Sequence, residues 1–233
     1  MLQYIVYYFS KGAVQQHMNG FKTLKDHVYD YIEAQIQNGS LRSNQRINEA
    51  AICEKLNISR TPVREALIQL SAEGVLENTA RKGFVLKEIK EQDVRELYAV
   101  IGILDGFAAK LSCTHLTESD LSDMAFYISA MDLAIQSGNY PMYDKHQLIF
   151  HKLYMEKCGN RVLIETIERA KKKLLKRTYI DDPDESYKEI LSATNQEHRE
   201  ILALFQKQDG DGLLTYISEV HWRPAHVPVE IGL

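Results

Sequence analysis

Two sets of side chains in this 233-residue sequence could do chemistry. The first is basic. Arg60 and Arg64 stand four apart in the segment SRTPVREAL, so on a helix they share a face. A guanidinium can fork onto O6 and N7 of a guanine, worth about 1–3 kcal/mol of discrimination against the wrong base. Ser59 and Thr61 flank Arg60 at a helix start, where hydroxyls and the positive end of the helix dipole suit a phosphate. Arg81 and Lys82, followed by Gly83, add two cations a little further on. The second set is His151, His198 and His221. Imidazole is a common ligand for zinc and nickel. These three lie on separate stretches, with neither zinc-finger nor HExxH spacing, so spacing alone reads them as separate surface or core histidines.

Periodicity supplies the elements that must position these groups. Leu24, Val28, Ile32 and Ile36 recur at steps of four, with Tyr31 beside them, as one face of an amphipathic helix that stops at Asn38-Gly39. A second helix over about 48–56 has Asn48 or an adjacent residue as cap and Ala51, Ile52 and Leu56 turned inward, and Asn57-Ile58 breaks it. A third opens with Ser59 or Thr61 as cap, tolerates Pro62 in its first turn, buries Val63, Ala66, Leu67 and Leu70, and closes at Gly74. Val75-Leu76 and Phe84-Val85-Leu86 then flank a turn-rich basic stretch over 78–83, which predicts a β-hairpin with its tip near Arg81 to Gly83. Beyond Lys90 only helices are predicted. They span about 91–113 (Val94, Leu97, Ile101, Leu104, Ala108, Leu111), 118–136, 141–157, 160–179, 185–208 and 211–222. Thr117 and Asp120 stand at capping-box spacing, and Gly-Asn pairs at 138–139 and 159–160, the acidic 181–184 and the turn at 209–212 punctuate the rest. The expected fold is mainly α. A winged helix-turn-helix of three helices plus a hairpin occupies 18–90, and an all-α six-helix bundle occupies 91–222.

Bulk properties agree. A hydrophobic fraction of 45% and a charged fraction of 26% are those of an ordinary globular chain. Cys53, Cys113 and Cys158 are odd in number and form no CxxC pair, which argues for a reducing compartment and against a disulfide framework or zinc knot. Residues 18–90 carry 11 Lys and Arg against 9 Asp and Glu, whereas 91–233 carry 16 against 23. A mildly basic module on an acidic remainder suits a part that touches DNA and a part that does not. No run approaches the roughly 18 apolar residues that span a bilayer. The opening MLQYIVYYFS lacks the basic flank and cleavage site of a signal peptide. The reading is cytoplasmic, without a membrane partner. Met18 reads as the true start and 1–17 as an extension, because periodicity begins only after it; the rival reading of 1–17 is a short extra N-terminal helix or strand.

Residues 47–86, INEAAICEKLNISRTPVREALIQLSAEGVLENTARKGFVL, resemble the winged-helix domain of the GntR family of bacterial repressors, with SRTPVREAL, EGVL and RKGFV carrying the likeness. Residues 91–222 resemble the FCD-type effector domain of that family's FadR-like branch. The resemblance implies a homodimer on palindromic double-stranded operator DNA, released or retuned by a small-molecule effector. Its DNA contacts fall on Arg60, Thr61, Arg64 and Gly83. Glu49 matches an acidic residue of the pattern, and Ala50 stands where some relatives have an arginine, so one base contact is missing. The resemblance also implies a metal held by an Asp and a His one turn apart and two later His. His151, His198 and His221 match the three His, while the Asp position is Gln147, a neutral amide and a poorer ligand for a hard cation. Three His alone could hold zinc or nickel with a position open for effector or water. Asp144, about 10.5 Å along the axis from His151, is too far to substitute. Ile101 stands where many relatives have an arginine for a carboxylate effector, and Asp105 matches their next acidic residue. The effector-facing set is therefore Gln147, Ile101 and Asp105, and the case for a carboxylate effector weakens. Asn160 is expected to cap the next helix.

The function these residues imply is a DNA-binding transcriptional regulator, a repressor, tuned by an effector in the helical domain and coupled through Lys87 to Asp93. Two rivals stand beside it. A helical metalloenzyme lacks a general base at a telling spacing from any His and a phosphate-cradling glycine loop, so the reading is not an enzyme. A regulator with a vestigial pocket would keep its helical domain for dimerisation alone.

Overall fold

The computed structural model describes residues 23–37, 40–174 and 185–223. The start at Met18, the extension 1–17, the stop at Asn38-Gly39, residues 175–179 of the fourth bundle helix's expected span, and the acidic turn at 181–184 fall outside them. The first three helices among the described residues are α1 (Leu24–Gln37), α2 (Glu49–Leu56) and α3 (Arg60–Ala72). Val28, Ile32 and Ile36 are buried as expected, joined by Tyr29, but Leu24 is 56% exposed, one turn beyond the core. Asn48 caps α2, its Oδ1 accepting from the amides of Ala50 and Ala51 at 3.1 and 3.2 Å. Ala51 itself is exposed, contrary to expectation, and only Ile52 is buried outright. An eight-residue helix carries too few apolar side chains to fix its phase. Asn57, at φ 53°, makes the left-handed stop. Ser59, not Thr61, occupies the cap of α3, though its side chain makes no capping bond. Val63, Ala66, Leu67 and Leu70 are all buried, and Gly74, at φ 79°, turns the chain.

The hairpin pairs β1 (Leu76–Thr79) with β2 (Gly83–Leu86), antiparallel, from Leu76↔Leu86 to Thr79↔Gly83. Asn78 and Thr79, expected in the turn, lie in the ladder, because Arg81 and Gly83 at φ 71° and 74° close the turn tightly. A further pairing was not anticipated. Ile47 N–H donates to Phe84 O at 2.9 Å, Leu86 N–H to Gln45 O at 3.1 Å, and Arg46 bridges Val85. The stretch before α2 is thereby riveted to the wing.

Among the described residues six further helices follow: α4 (Glu91–Ser112), α5 (Glu118–Gln136), α6 (Tyr140–Met155), α7 (Arg161–Lys173), α8 (Glu185–Gln206) and α9 (Gly210–Tyr216). The Thr117–Asp120 capping box forms, and Asn139 and Asn160 accept from the amides of Met142 and Leu163 at 3.2 and 3.0 Å. The last predicted helix is interrupted, since α9 passes at Ile217–His221 into a π-helical turn. Along α4, Leu97, Leu104 and Leu111 are only half-buried, while Gly102 and Gly106 face the segment from Leu214 to Trp222. A Cβ on Gly106 would lie 2.8 Å from Leu214 O, and one on Gly102 2.9 Å from Trp222 Cβ. The two segments pack backbone against backbone, an approach only glycine permits. Buried apolar residues form two clusters, one within 28–86 and one within 94–222. No helix of the described residues is long and apolar enough to cross a membrane.

Candidate functional site

Helix α6 turns a buried stripe of Tyr143, Gln147, His151 and Tyr154 inward at spacings of three and four. His198 comes from α8 and His221 from the π-turn, and one ring nitrogen from each of the three His lies within 4.8 Å of the others. All three rings are buried. The fold thus joins histidines that spacing alone read as separate.

Each ring is held from its outer side. Tyr154 donates its hydroxyl to Asp105 Oδ1 at 2.7 Å, so its oxygen accepts the proton of His151 Nδ1 at 2.6 Å. His221 Nδ1 lies 3.0 Å from Glu197 Oε2, and His198 Nδ1 3.3 Å from Asn195 Oδ1. Asn195 is itself fixed by donating to Ile128 O and Asp132 Oδ1. With the Nδ1 atoms occupied by acceptors, the Nε2 lone pairs are free. His151 Nε2 and His221 Nε2 face each other at 3.2 Å, and His198 Nε2 is buried without a hydrogen-bond partner among the described residues. Lone pairs at that distance repel unless a proton or cation lies between them. It is also a separation open to two nitrogens each about 2.0–2.1 Å from one ion. The donor set fits a zinc-like cation.

Protonation agrees. Burial lowers His151 to about 4, although Asp105 pulls it upward, and burial with its two histidine neighbours lowers His198 well below its ordinary value. Both are neutral near pH 7, the ligating form. Asp105 is fully buried, and burial alone would raise it. Lys171, His151 and Tyr154 outweigh that and hold its carboxyl well below the ordinary carboxylate range.

The effector-facing residues fare differently. Asp105 is engaged by protein donors: Tyr154, the Trp222 indole at 2.8 Å, and the ammonium of buried Lys171 at 3.5 Å. It stands behind His151, on the Nδ1 side of that ring. Ile101 packs in the apolar cluster. Gln147 is 2% exposed with Oε1 unpaired among the described residues, one turn before His151. Sequence reasoning missed Glu197, Tyr154, Asn195 and Lys171, and it found no carboxylate near a histidine where the fold supplies two. Tyr154, three after His151, and Asn195, three before His198, were the locally visible signals. Because both carboxylates act on Nδ1, away from the converging Nε2 atoms, they orient rings instead of serving as bases.

The basic residues line a second feature. A cleft of about 480 Å³ is lined by Arg46, Asn48, Glu49, Ala50, Arg60, Arg64 and Gly83. Arg60 opens α3 and Arg64 follows one turn later, both exposed. Arg64 Nε lies 3.8 Å from Glu49 Oε2, a solvated pair worth little. Arg81 and Lys82 are exposed on the hairpin turn outside the cleft lining, and Ser59 and Thr61 are exposed at the start of α3. Arg46 was not anticipated.

Residues 24–86 match the family described as bacterial regulatory proteins, gntR family, and residues 96–220 match the FCD domain. The Nta operon transcriptional regulator of Aminobacter aminovorans is 29% identical over 142 residues, 60% of this chain and 66% of that protein. The match thus spans just under two thirds of that relative's length. The HTH-type transcriptional repressor RspR of Escherichia coli K12 is 22% identical over 201 residues, covering 86% of this chain and 87% of the relative. The solved structure of E. coli McbR/YncC superposes with a TM-score of 0.71 at 20% identity, over 86% of this chain and 94% of that one, a likeness of fold.

Proposed function

Because this chain belongs to the gntR family of bacterial regulatory proteins and carries an FCD domain, we propose that it is a cytoplasmic transcriptional repressor. In this reading residues 18–90 bind operator DNA, and residues 91–222 bind a small effector and a second copy of the chain. The two relatives described above are transcriptional regulators, not enzymes, and RspR is a repressor. One observation carries the reading: a helix that opens with Arg60 and Arg64 beside a wing, joined by a short linker to the helix whose Asp105 fixes the ring of a buried histidine.

Docking of α3 in the major groove puts Arg60, Thr61 and Arg64 at base edges and the hydroxyl of Ser59 at a phosphate, with Arg81, Lys82 and Gly83 following the adjacent backbone. A zinc or nickel ion held by His151, His198 and His221 would supply a Lewis-acid position for an effector oxygen or nitrogen. Tyr154, Asp105, Glu197 and Asn195 hold the three rings in the ligating tautomer. Gln147 adds hydrogen-bonding capacity without charge.

Coupling passes through Lys87 to Asp93. That stretch borders a cleft also lined by Gly74 and by Arg169 and Lys173 of α7, two residues to either side of Lys171. An effector changes operator affinity only by binding the two domain arrangements unequally. Val100, Ile103 and Phe107 on α4 are 53%, 61% and 41% exposed on one helical stripe, the face assigned to the second copy that a palindromic operator requires. The test is enrichment of a duplex from random-sequence DNA by the full chain. Recovery of one tight duplex that Arg64→Ala no longer binds supports the reading. Failure to enrich any duplex refutes it.

A further inference from the structure

We propose that Arg46 is a DNA contact of this protein, set against a backbone phosphate of the duplex; the inference rests on the DNA-binding reading above. Arg46 lies outside the recognition helix, and nothing in its neighbourhood in the sequence marks it. The fold brings it to the same cleft as Arg60 and Arg64, on the wing side beside Gly83.

Its backbone is not free to drift, since it bridges Val85 while its neighbours exchange hydrogen bonds with Phe84 and Leu86. Successive residues of an extended segment point to opposite sides. Ile47 is 5% exposed and faces the core, so Arg46 faces out, and it is exposed. The guanidinium therefore rises from a rigid platform, which lowers the entropy cost of using it.

Charge points to the ligand. Three guanidiniums and one carboxylate line the cleft, and that carboxylate, Glu49, sits with Arg64. Arg46 and Arg60 have no ion-pair partner among the described residues. Two uncompensated positive charges in one concavity attract an anion, and on a duplex the anion is phosphate. Base readout falls to α3, because that helix and not the wing-side strand enters the major groove. Ala50 strengthens the case. It lines the same cleft with only a methyl group, so its side chain takes up little of the space beside Arg46.

The experiment uses the full chain and a duplex that it enriches from random-sequence DNA. Affinity is measured by fluorescence anisotropy across about 50–200 mM KCl for the wild type, Arg46→Gln and Arg46→Lys. Gln keeps much of the stem without the charge, and matched melting curves control for folding. The expected result is weaker binding by Arg46→Gln, with the slope of log K against log salt flattened by about 0.9 for each chain in contact, and the slope restored in Arg46→Lys. Unchanged affinity and slope in Arg46→Gln would overturn the proposal while leaving the DNA-binding reading intact. An unchanged slope with altered base preference would also overturn it, by placing Arg46 on a base. If the wild type enriches no duplex, both readings fall together.

Discussion

Replacing Tyr154 with Phe removes one oxygen and keeps the ring. That oxygen accepts from His151 Nδ1 at 2.6 Å and donates to Asp105 Oδ1 at 2.7 Å, in a region with no access to water. Two buried groups lose a partner, and each such loss costs about 1–3 kcal/mol. Asp105 keeps Trp222 and Lys171, and its other oxygen lies 3.5 Å from His151 Nδ1, so part of the loss can be recovered. A net destabilisation of about 2–4 kcal/mol follows for the metal-free protein. The larger consequence is at Nε2. Without the hydroxyl the ring loses the bond that fixes its tautomer, and loss of such outer partners weakens metal binding about 10–100-fold. At saturating zinc the metal-dependent part of the stability should then shrink by about 1.4–2.7 kcal/mol, the free-energy equivalent of that ratio. Competition against a chromophoric chelator gives zinc affinity, and urea unfolding with and without zinc gives both stabilities. Wild-type zinc affinity in Tyr154→Phe would refute the claim that this hydroxyl orients His151.

Three other outcomes follow from the same geometry. His151 is depressed to about 4 in the fold, below its unfolded value near 6.5, so between these values the unfolded chain binds a proton that the folded chain refuses. Stability of the metal-free protein should fall as pH drops through that window, and a flat pH profile of urea midpoints would contradict a buried neutral His151. Gly106→Ala must move backbone, since its Cβ would meet Leu214 O at 2.8 Å, and should cost about 1–3 kcal/mol in denaturant unfolding. Ile103→Asp, at a position 61% exposed, should leave the monomer folded but shift sedimentation from dimer to monomer; an intact dimer would move the interface elsewhere.

The sequence made local features legible and left non-local ones dark. The stripe Val63, Ala66, Leu67 and Leu70 and the Thr117–Asp120 box depend on neighbours within one or two turns, and both formed. Ala51 was misplaced because a short helix has little phase information. The pairing of Gln45 to Ile47 with β2 carries no periodic signal, since one bridged residue leaves no alternation to read. At the candidate metal site the histidines were joined into one set only through a family resemblance, and of the residues that aim them only Tyr154 and Asn195 lie one turn from the ring they hold. Lys171 stands in the run Lys171-Lys172-Lys173, which reads as a solvated charge cluster, yet it is 2% exposed against Asp105. Glu197 is next to His198 in the chain but serves His221, because the π-turn at Ile217–His221 sets the direction of that ring.

The most direct test of the account is the metal content of untagged protein purified without added metal, beside His198→Ala. Among the described residues His198 Nε2 is buried without a hydrogen-bond partner, so substitution of His198 removes a candidate ligand while sparing the Tyr154–Asp105 network. About one zinc or nickel ion per chain, lost in the variant, is the predicted result. Metal-free wild-type protein that also fails to take up zinc on titration would contradict the assignment of these three histidines to one ion.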